Sequence, residues 1–171
     1  YNISFNKLNN NFKPTDGFIT NFSQTLPIYS EDWSFENSFS TSKYMSLNDN
    51  LTLSARFLLK TINSLDDDVR VSKRINIPGR YLRGFENGKI GPKDGTQFIG
   101  GNYASSLNLN STLPNVFFEN ENIDLNFFID LANVWEVDYD SSLDSNKIRS
   151  ATGIALNWFS TIGPLSFSYA I

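Results

Sequence analysis

An arginine and its neighbours are the residues best placed to do chemistry in this chain. They read Leu82-Arg83-Gly84-Phe85, followed by Gly88-Lys89-Ile90-Gly91-Pro92, within a long segment rich in glycine and charge. An arginine side chain carries a planar set of donors that a carboxylate meets with two parallel hydrogen bonds. The segment is too long for a simple hairpin, which favours a loop folded back onto the protein. The alternative is a solvated loop with one turn glycine.

The composition excludes several kinds of site. The 171 residues contain neither cysteine nor histidine, so thiolate chemistry, disulfides and the commonest general base are absent. A net charge of −4 disfavours a nucleic-acid surface. Three consecutive carboxylates, Asp66-Asp67-Asp68, lie in a polar loop, where such a run is more often solvated than metal-binding. We therefore expect no catalytic residues, no metal and no cofactor, and a protein that is not an enzyme.

Apolar and polar residues alternate with a period of two almost throughout the chain. From Trp33 to Leu47, most odd positions are aromatic or aliphatic, whereas most even positions are serine. Residues i and i+2 share one face of a strand, so this pattern predicts a half-buried strand with a polar second face. Similar patterns predict about eight strands, at 3–9, 17–26, 33–47, 51–60, 106–113, 123–131, 149–159 and 165–171.

The strands and their connections favour a transmembrane barrel. A mean hydropathy of −0.30 without a long apolar run excludes a transmembrane helix, but barrel strands alternate and so average to mild polarity. Long polar connections at 63–101 and 137–148 fall at one end of the strands, whereas tight turns such as 9–11, 48–50 and 163–164 fall at the other. Residues 27–32 form a further predicted turn.

A soluble β-sandwich or lipocalin also alternates and is the competing fold. In those folds the polar face lies in water and usually carries many charges. Here that face is mainly Ser, Thr and Asn, which are small and neutral and suit a crowded, wet lumen. The pattern therefore predicts an all-β, antiparallel transmembrane barrel, of which residues 1–171 form a part.

A set of short motifs follows in fixed order along the second half of the chain. They are Leu82-Arg83-Gly84-Phe85, Ile90-Gly91-Pro92, Gly100-Gly101-Asn102-Tyr103, Phe127-Phe128-Ile129-Asp130, Val134-Trp135, the run from Ile148 to Trp158, and Ile162-Gly163-Pro164-Leu165. In order and spacing, residues 77–171 thereby resemble the C-terminal half of the barrel in the BamA family of assembly factors, within the surface-antigen superfamily. Residues 1–76 are similar only in pattern, with Pro14-Thr15-Asp16-Gly17 resembling the family's turn before a strand.

The resemblance implies a 16-stranded barrel that follows periplasmic POTRA domains. Residues 1–171 would supply roughly strands eight to fifteen, with the POTRA domains, the first strands and the closing strand outside this chain. The implied function is the folding and insertion of β-barrel proteins into the bacterial outer membrane. Its implied partners are those substrate proteins, accessory assembly lipoproteins and the lipid bilayer, and no nucleic acid.

Two other functions stay open at this stage. A two-partner-secretion or translocation-module barrel of the same superfamily shares the arginine loop but exports a polypeptide. A general diffusion porin, from another class, is an open channel without an insertion role. For a porin we expect a charge-rich constriction loop instead of residues 83–85 followed by Gly91-Pro92.

The resemblance also implies roles for individual residues. The loop would fold into the lumen and bring Arg83 to the carboxylate of Asp130, whose even position places it on the polar face. Gly84 would let the backbone turn tightly beside the arginine, and Phe85 would wedge the loop against the wall. Asn110 stands where many family members carry a second acid. An amide accepts a hydrogen bond from arginine but cannot neutralise its charge, so we expect a weaker network here.

Asp124 is a further acid on the same strand and face as Asp130. It lies six residues away, roughly 20 Å along an extended strand. We therefore expect that Asp124 does not replace the acid missing at Asn110.

Overall fold

Eight antiparallel strands form one sheet in the computed structural model, which describes residues 1–28, 33–114, 122–161 and 163–171. Its strands are β1 (Asn2–Asn6), β2 (Gly17–Thr25), β3 (Ser34–Asn48), β4 (Leu51–Ser64), β7 (Tyr103–Leu113), β8 (Ile123–Trp135), β9 (Arg149–Ser160) and β10 (Gly163–Ala170). Each strand pairs with its neighbours in the order β1-β2-β3-β4-β7-β8-β9-β10.

Short elements complete the described fold. A small separate hairpin joins β5 (Lys93–Asp94) to β6 (Gln97–Phe98), and single 3-10 turns lie at Val71–Lys73, Gly79–Tyr81 and Ser141–Leu143. No helix in the described ranges is long and apolar enough to cross a membrane.

The eight strands predicted from the alternation are present, with shifted ends. β8 continues to Trp135 rather than Leu131, and β4 continues to Ser64. β1 ends at Asn6 rather than Asn9, because the Asn6 side chain accepts a hydrogen bond from the Leu8 N–H at 2.9 Å and turns the chain. Of the predicted turns and motifs, residues 29–32 and 162 lie outside the described residues.

The two faces of the sheet differ in polarity and in burial. We call the face that residues 65–102 contact the inner face, and the opposite one the outer face. On β8 the even residues Asp124, Asn126 and Asp130 are buried on the inner face, whereas Phe127 and Ile129 are 48% and 49% exposed on the outer face. Soluble proteins bury apolar side chains, so exposed apolar and buried polar side chains indicate a barrel wall facing lipid.

Connections of different length lie at the two ends of the sheet. Residues 7–16 join β1 to β2 and residues 49–50 join β3 to β4, at an end that we call the short-turn rim. At the opposite end, the long-loop rim, residues 65–102 join β4 to β7 and residues 136–148 join β8 to β9. The predicted asymmetry holds between residues 49–50 and the two long connections, whereas the tight turn predicted at 9–11 is instead the ten-residue connection 7–16.

An apolar core lies between the inner face and residues 65–102, which we call the long loop. The loop contributes buried Ile77, Leu82 and Ile90. The strands contribute buried side chains that are mostly small, namely Leu58, Ala104, Ala132, Val134 and Ala151. The serine-rich pattern of β3 suggested an inner face that is polar throughout, and the structure differs from this expectation. The inner face is apolar where the loop packs, and the alanines leave room for that loop.

Candidate functional site

The long loop is held at its base before it turns into the inner face. The backbone groups of Ile75 and Gly101 exchange two hydrogen bonds of 2.8 and 3.1 Å, which close the loop into a ring. The Ile62 N–H donates to the Asn102 carbonyl at 2.8 Å, so the end of the loop is also joined to β4. These bonds fix the direction in which residues 76–100 leave the sheet.

Arg83 and Asp130 form an ion pair on the inner face. The Arg83 Nε donates to Asp130 Oδ2 at 2.7 Å, and its Nη2 donates to Oδ1 at 2.7 Å. The Arg83 backbone N–H donates to Oδ2 as well, at 3.1 Å. Three bonds from one residue to one carboxylate fix the position of the loop backbone as well as that of the side chain.

Neighbouring strands complete the surroundings of the pair. Arg83 Nη2 also donates to Asn110 Oδ1 on β7 at 2.8 Å. Asn108 Nδ2 donates to Asp130 Oδ1 and to the Tyr81 carbonyl, at 2.8 Å in both cases. The loop thus contacts β7 and β8 through three polar side chains of the inner face.

An aromatic ring lies under the guanidinium. The Arg83 Cζ is 3.6 Å from the centroid of the Phe128 ring, and Phe128 is buried. Such stacking of arginine on an aromatic face is favourable, more so where water is excluded. No role was predicted for Phe128 from the sequence, although its even position on β8 places it on the same face as Asp130.

Burial makes this ion pair sensitive to the loss of either member. The Asp130 side chain is fully buried, and the Arg83 side chain is 19% exposed. Removing one member of a buried pair typically costs about 3–5 kcal/mol, because the other charge stays behind without a partner. A buried pair of this kind fixes geometry more than it adds stability.

Gly84 and Phe85 differ in how closely the structure constrains them. Gly84 has φ +84°, and a Cβ added there would lie 2.6 Å from the Cβ of Ala170 on β10. Both the backbone conformation and the close approach therefore require glycine. Phe85 is 36% exposed. Its role as a wedge stays a prediction.

A second ion pair joins the long loop to residues 136–148. Arg74 Nη2 donates to Asp138 Oδ1 at 2.5 Å and to the Val69 carbonyl at 3.2 Å, and the Arg74 side chain is fully buried. The Val69 N–H donates to Asp138 Oδ2 at 2.7 Å. The Arg74 guanidinium also lies 4.8 Å from the centroid of the Tyr139 ring. This contact was not predicted from the sequence.

The surroundings of Asp138 lower the pKa of its carboxyl group. Partial burial acts to raise this pKa, but hydrogen bonds from Val69 and Asn102 and the positive charge of Arg74 outweigh burial. Asp138 is therefore held in its charged form to lower pH than an ordinary aspartate.

The acidic run 66–68 faces a cavity at the long-loop rim. Asp66, Asp67 and Asp68 line it together with Glu136 and Asp138. Within the described ranges, no group of three or more carboxylates is arranged to hold a metal ion.

Comparison with known proteins identifies the family. A family model described as the Omp85 superfamily domain matches residues 1–171. The chain belongs to the Omp85 superfamily. It is also similar to BamA from Haemophilus ducreyi, in a crystal structure of a form lacking POTRA domains 1–3, with a TM-score of 0.87 and 31% sequence identity.

The extent of this match bears on the expectations from sequence. It covers 99% of this chain and 37% of that BamA chain, so the Omp85 chain described here spans little more than a third of its solved relative. The resemblance to BamA and the fold class are confirmed. The sheet of this Omp85 chain has two edge strands, β1 and β10, and is an open part of a barrel wall.

Proposed function

We propose that the full-length protein folds and inserts β-barrel proteins into the bacterial outer membrane, and that this chain is part of its barrel. The observation that carries the proposal is the long loop fixed on the inner face through Arg83 and Asp130, in an Omp85 chain similar to BamA along nearly its whole length. Its partners would be the substrate proteins, accessory assembly lipoproteins and the lipid bilayer.

The physics of insertion assigns no catalytic residue. A barrel strand entering a membrane carries backbone N–H and C=O groups that lipid cannot satisfy. A strand edge that pairs with the incoming strand lowers this cost until the new barrel closes. No covalent bond is made or broken, so the protein would act as a template and not as an enzyme.

The anchored loop would keep the barrel wall in one shape while a strand edge of the barrel pairs with the incoming strand. The long loop connects β4 to β7, and Arg83 binds Asp130 on β8, so one loop ties three neighbouring strands together. Its apolar residues also fill the space above the inner face. We therefore assign Arg83, Gly84 and Phe85 to the loop anchor, and Asp130 and Asn110 to its partners.

The proposal is tested with the full-length protein in lipid vesicles. Arg83→Ala would leave Asp130 buried without its partner, so we expect slower insertion of a test barrel protein and a loop more open to protease. Arg83→Lys keeps the charge but loses the planar set of donors, so we expect partial activity. Insertion is measured as the gain of heat-resistant, protease-protected test protein over time.

The matched control is Arg80→Ala, which removes the same charge from the same loop. Arg80 is exposed, and its Cζ lies 5.1 Å from the centroid of the Tyr81 ring. Insertion at the wild-type rate by a folded Arg83→Ala protein would contradict the proposal. Export of a polypeptide without any insertion of barrel proteins would favour the secretion function instead.

A further inference from the structure

A second loop also folds onto the inner face, from the opposite rim. Residues 7–16, which we call the short-rim loop, join β1 to β2. Lys13 Nζ lies 2.9 Å from Asp124 Oδ1 on β8. The Phe12 ring lies 5.3 Å from the Phe159 ring on β9, measured between centroids. The loop therefore reaches from one side of the sheet to strands near its other edge.

The local sequence explains why the loop projects in this direction. Asn10 Oδ1 accepts hydrogen bonds from the N–H groups of Phe12 and Lys13, at 2.8 and 3.3 Å. Asn9 Oδ1 accepts from Thr15 and Asp16, at 3.1 Å each. Asparagine side chains that bond the backbone a few residues ahead form tight turns. The turn at Asn10 directs Phe12 and Lys13 away from their own strands, and the bonds from Thr15 and Asp16 to Asn9 close the base of the loop.

Asp124 needs the partner that the short-rim loop supplies. Its side chain is only 3% exposed, and a buried carboxylate without a partner is strongly destabilising. Lys13 is 111 residues away in the sequence, and its Nζ also lies 5.2 Å from the centroid of the Phe159 ring. The charge contact and the aromatic contact thus hold the loop at the same place.

Under the short-rim loop lies a cavity of about 260 Å³. Lys13, Thr15 and Asp124 line it, together with Thr52 on β4 and Thr112 on β7. Thr52 is 7% exposed. The short-rim loop thus shields Thr52 and Thr112, which lie at the short-turn ends of β4 and β7.

We infer that the short-rim loop is a closure of the lumen at the short-turn rim, fastened by Lys13 to Asp124. β8 then carries two buried acids with separate tasks: Asp130 holds the long loop and Asp124 holds the short-rim loop. Opening of the Lys13–Asp124 contact admits water and small solutes from the short-turn side to the cavity beside Thr52. The inference does not depend on the proposed function, since it concerns access to the lumen only.

The test measures access to the cavity in the full-length protein in vesicles. A Thr52→Cys variant is treated with a charged thiol reagent, and labelling at residue 52 is followed by mass spectrometry. Adding Lys13→Gln is expected to speed labelling at least about fivefold, because it leaves the buried Asp124 carboxylate without its partner. Exchanging the two charges, as Lys13→Asp with Asp124→Lys, is expected to bring labelling back toward the slow rate.

Lys7→Gln is the matched control. Lys7 lies in the same loop and its Nζ is 5.8 Å from the Phe5 ring, so the variant removes an equal charge without touching β8. Equal labelling rates with and without Lys13→Gln would overturn the inference, and so would an equal increase in Lys7→Gln.

A second measurement covers the case in which the Thr52→Cys protein does not fold. The full-length protein carrying Lys13→Cys in the loop and Asp124→Cys on β8 is treated with a short bifunctional thiol reagent. Joined peptides from the two positions support the closure. Efficient modification of both cysteines without any joining would overturn it.

Discussion

At the scale of single residues, the pairing of Arg83 with Asp130 was implied by the resemblance to the BamA family, and the two side chains lie in contact. The motif marks the arginine, and the even position on β8 places the acid on the inner face. The ring of Phe128 under the guanidinium was not predicted, because an aromatic residue in an alternating strand looks like any other wall residue. Its position two residues before Asp130, on the same face of β8, is the one feature of the sequence that points to this contact.

Gly84 is required both by its backbone conformation and by the close approach of Ala170, and the two requirements can be tested separately. Gly84→Ala forces a side chain onto a residue with φ +84° and places its Cβ 2.6 Å from the Cβ of Ala170. The first effect costs about 1 kcal/mol and the second about 1–3 kcal/mol more. We expect faster trypsin cleavage after Arg83 in the vesicle-bound protein.

Gly95→Ala is the control for that experiment. Gly95 has φ +58° in the same loop, but a Cβ added there meets nothing within 4 Å. We expect only the smaller, conformational cost, and little change in cleavage at Arg83. Equal effects of the two substitutions would show that the contact with Ala170 does not matter.

At the scale of elements, the strands were predictable from the sequence, whereas the contacts that fix the short-rim loop and the base of the long loop were not. Alternation with a period of two is a local signal, which is why eight strands could be placed. The contacts of Lys13 with Asp124 and of Arg74 with Asp138 span 111 and 64 residues and have no periodicity. They depend on where the sheet brings two distant segments together. No pattern in the sequence encodes that position.

The pair of Arg74 and Asp138 predicts how acid acts on the long loop. The pKa of Asp138 is lower in the folded protein than in the unfolded chain, so the unfolded chain binds the proton first as pH falls. The contact therefore stabilises the loop fully at neutral pH, begins to weaken near pH 4, and is lost as pH falls through the lowered pKa. We expect weaker protection from hydrogen exchange in residues 69–75, relative to the intrinsic rate at each pH, below about pH 4.

The comparison that isolates this effect uses Asp138→Asn. Asparagine keeps an oxygen that accepts from the Val69 N–H but does not titrate, so the acid-dependent part of exchange is expected to shrink. Asp140 also has a lowered pKa, through hydrogen bonds from Ser142, and titrates in both proteins alike. An unchanged pH profile in the variant would assign the acid effect to other groups.

At the scale of the whole molecule, the sheet and the long loop together determine what surrounds each face of the sheet. The loop buries the polar wall residues around Asp130, while the opposite face keeps its aromatic and aliphatic side chains exposed. Phe39 and Phe57 lie 6.4 Å apart there, and Phe5 and Phe18 lie 5.5 Å apart, between ring centroids. Such a surface is stable against lipid tails and unfavourable in water.

The last prediction tests this division between the faces. Ile129 is 49% exposed in the outer face of β8. In the full-length protein, Ile129→Lys would place a charge against lipid, which costs about 2–4 kcal/mol near the membrane midplane and less toward either rim. We expect unfolding from vesicles at a clearly lower denaturant concentration than for the wild type.

Ser4→Lys adds the same charge to the other face and serves as the control. Ser4 is exposed on the inner face of β1, where its hydroxyl bonds the Asn21 side chain at 2.7 Å. An ammonium group there stays in water, so we expect a small change in the unfolding midpoint. If the two lysines destabilised the protein equally, the outer face would not be in contact with lipid.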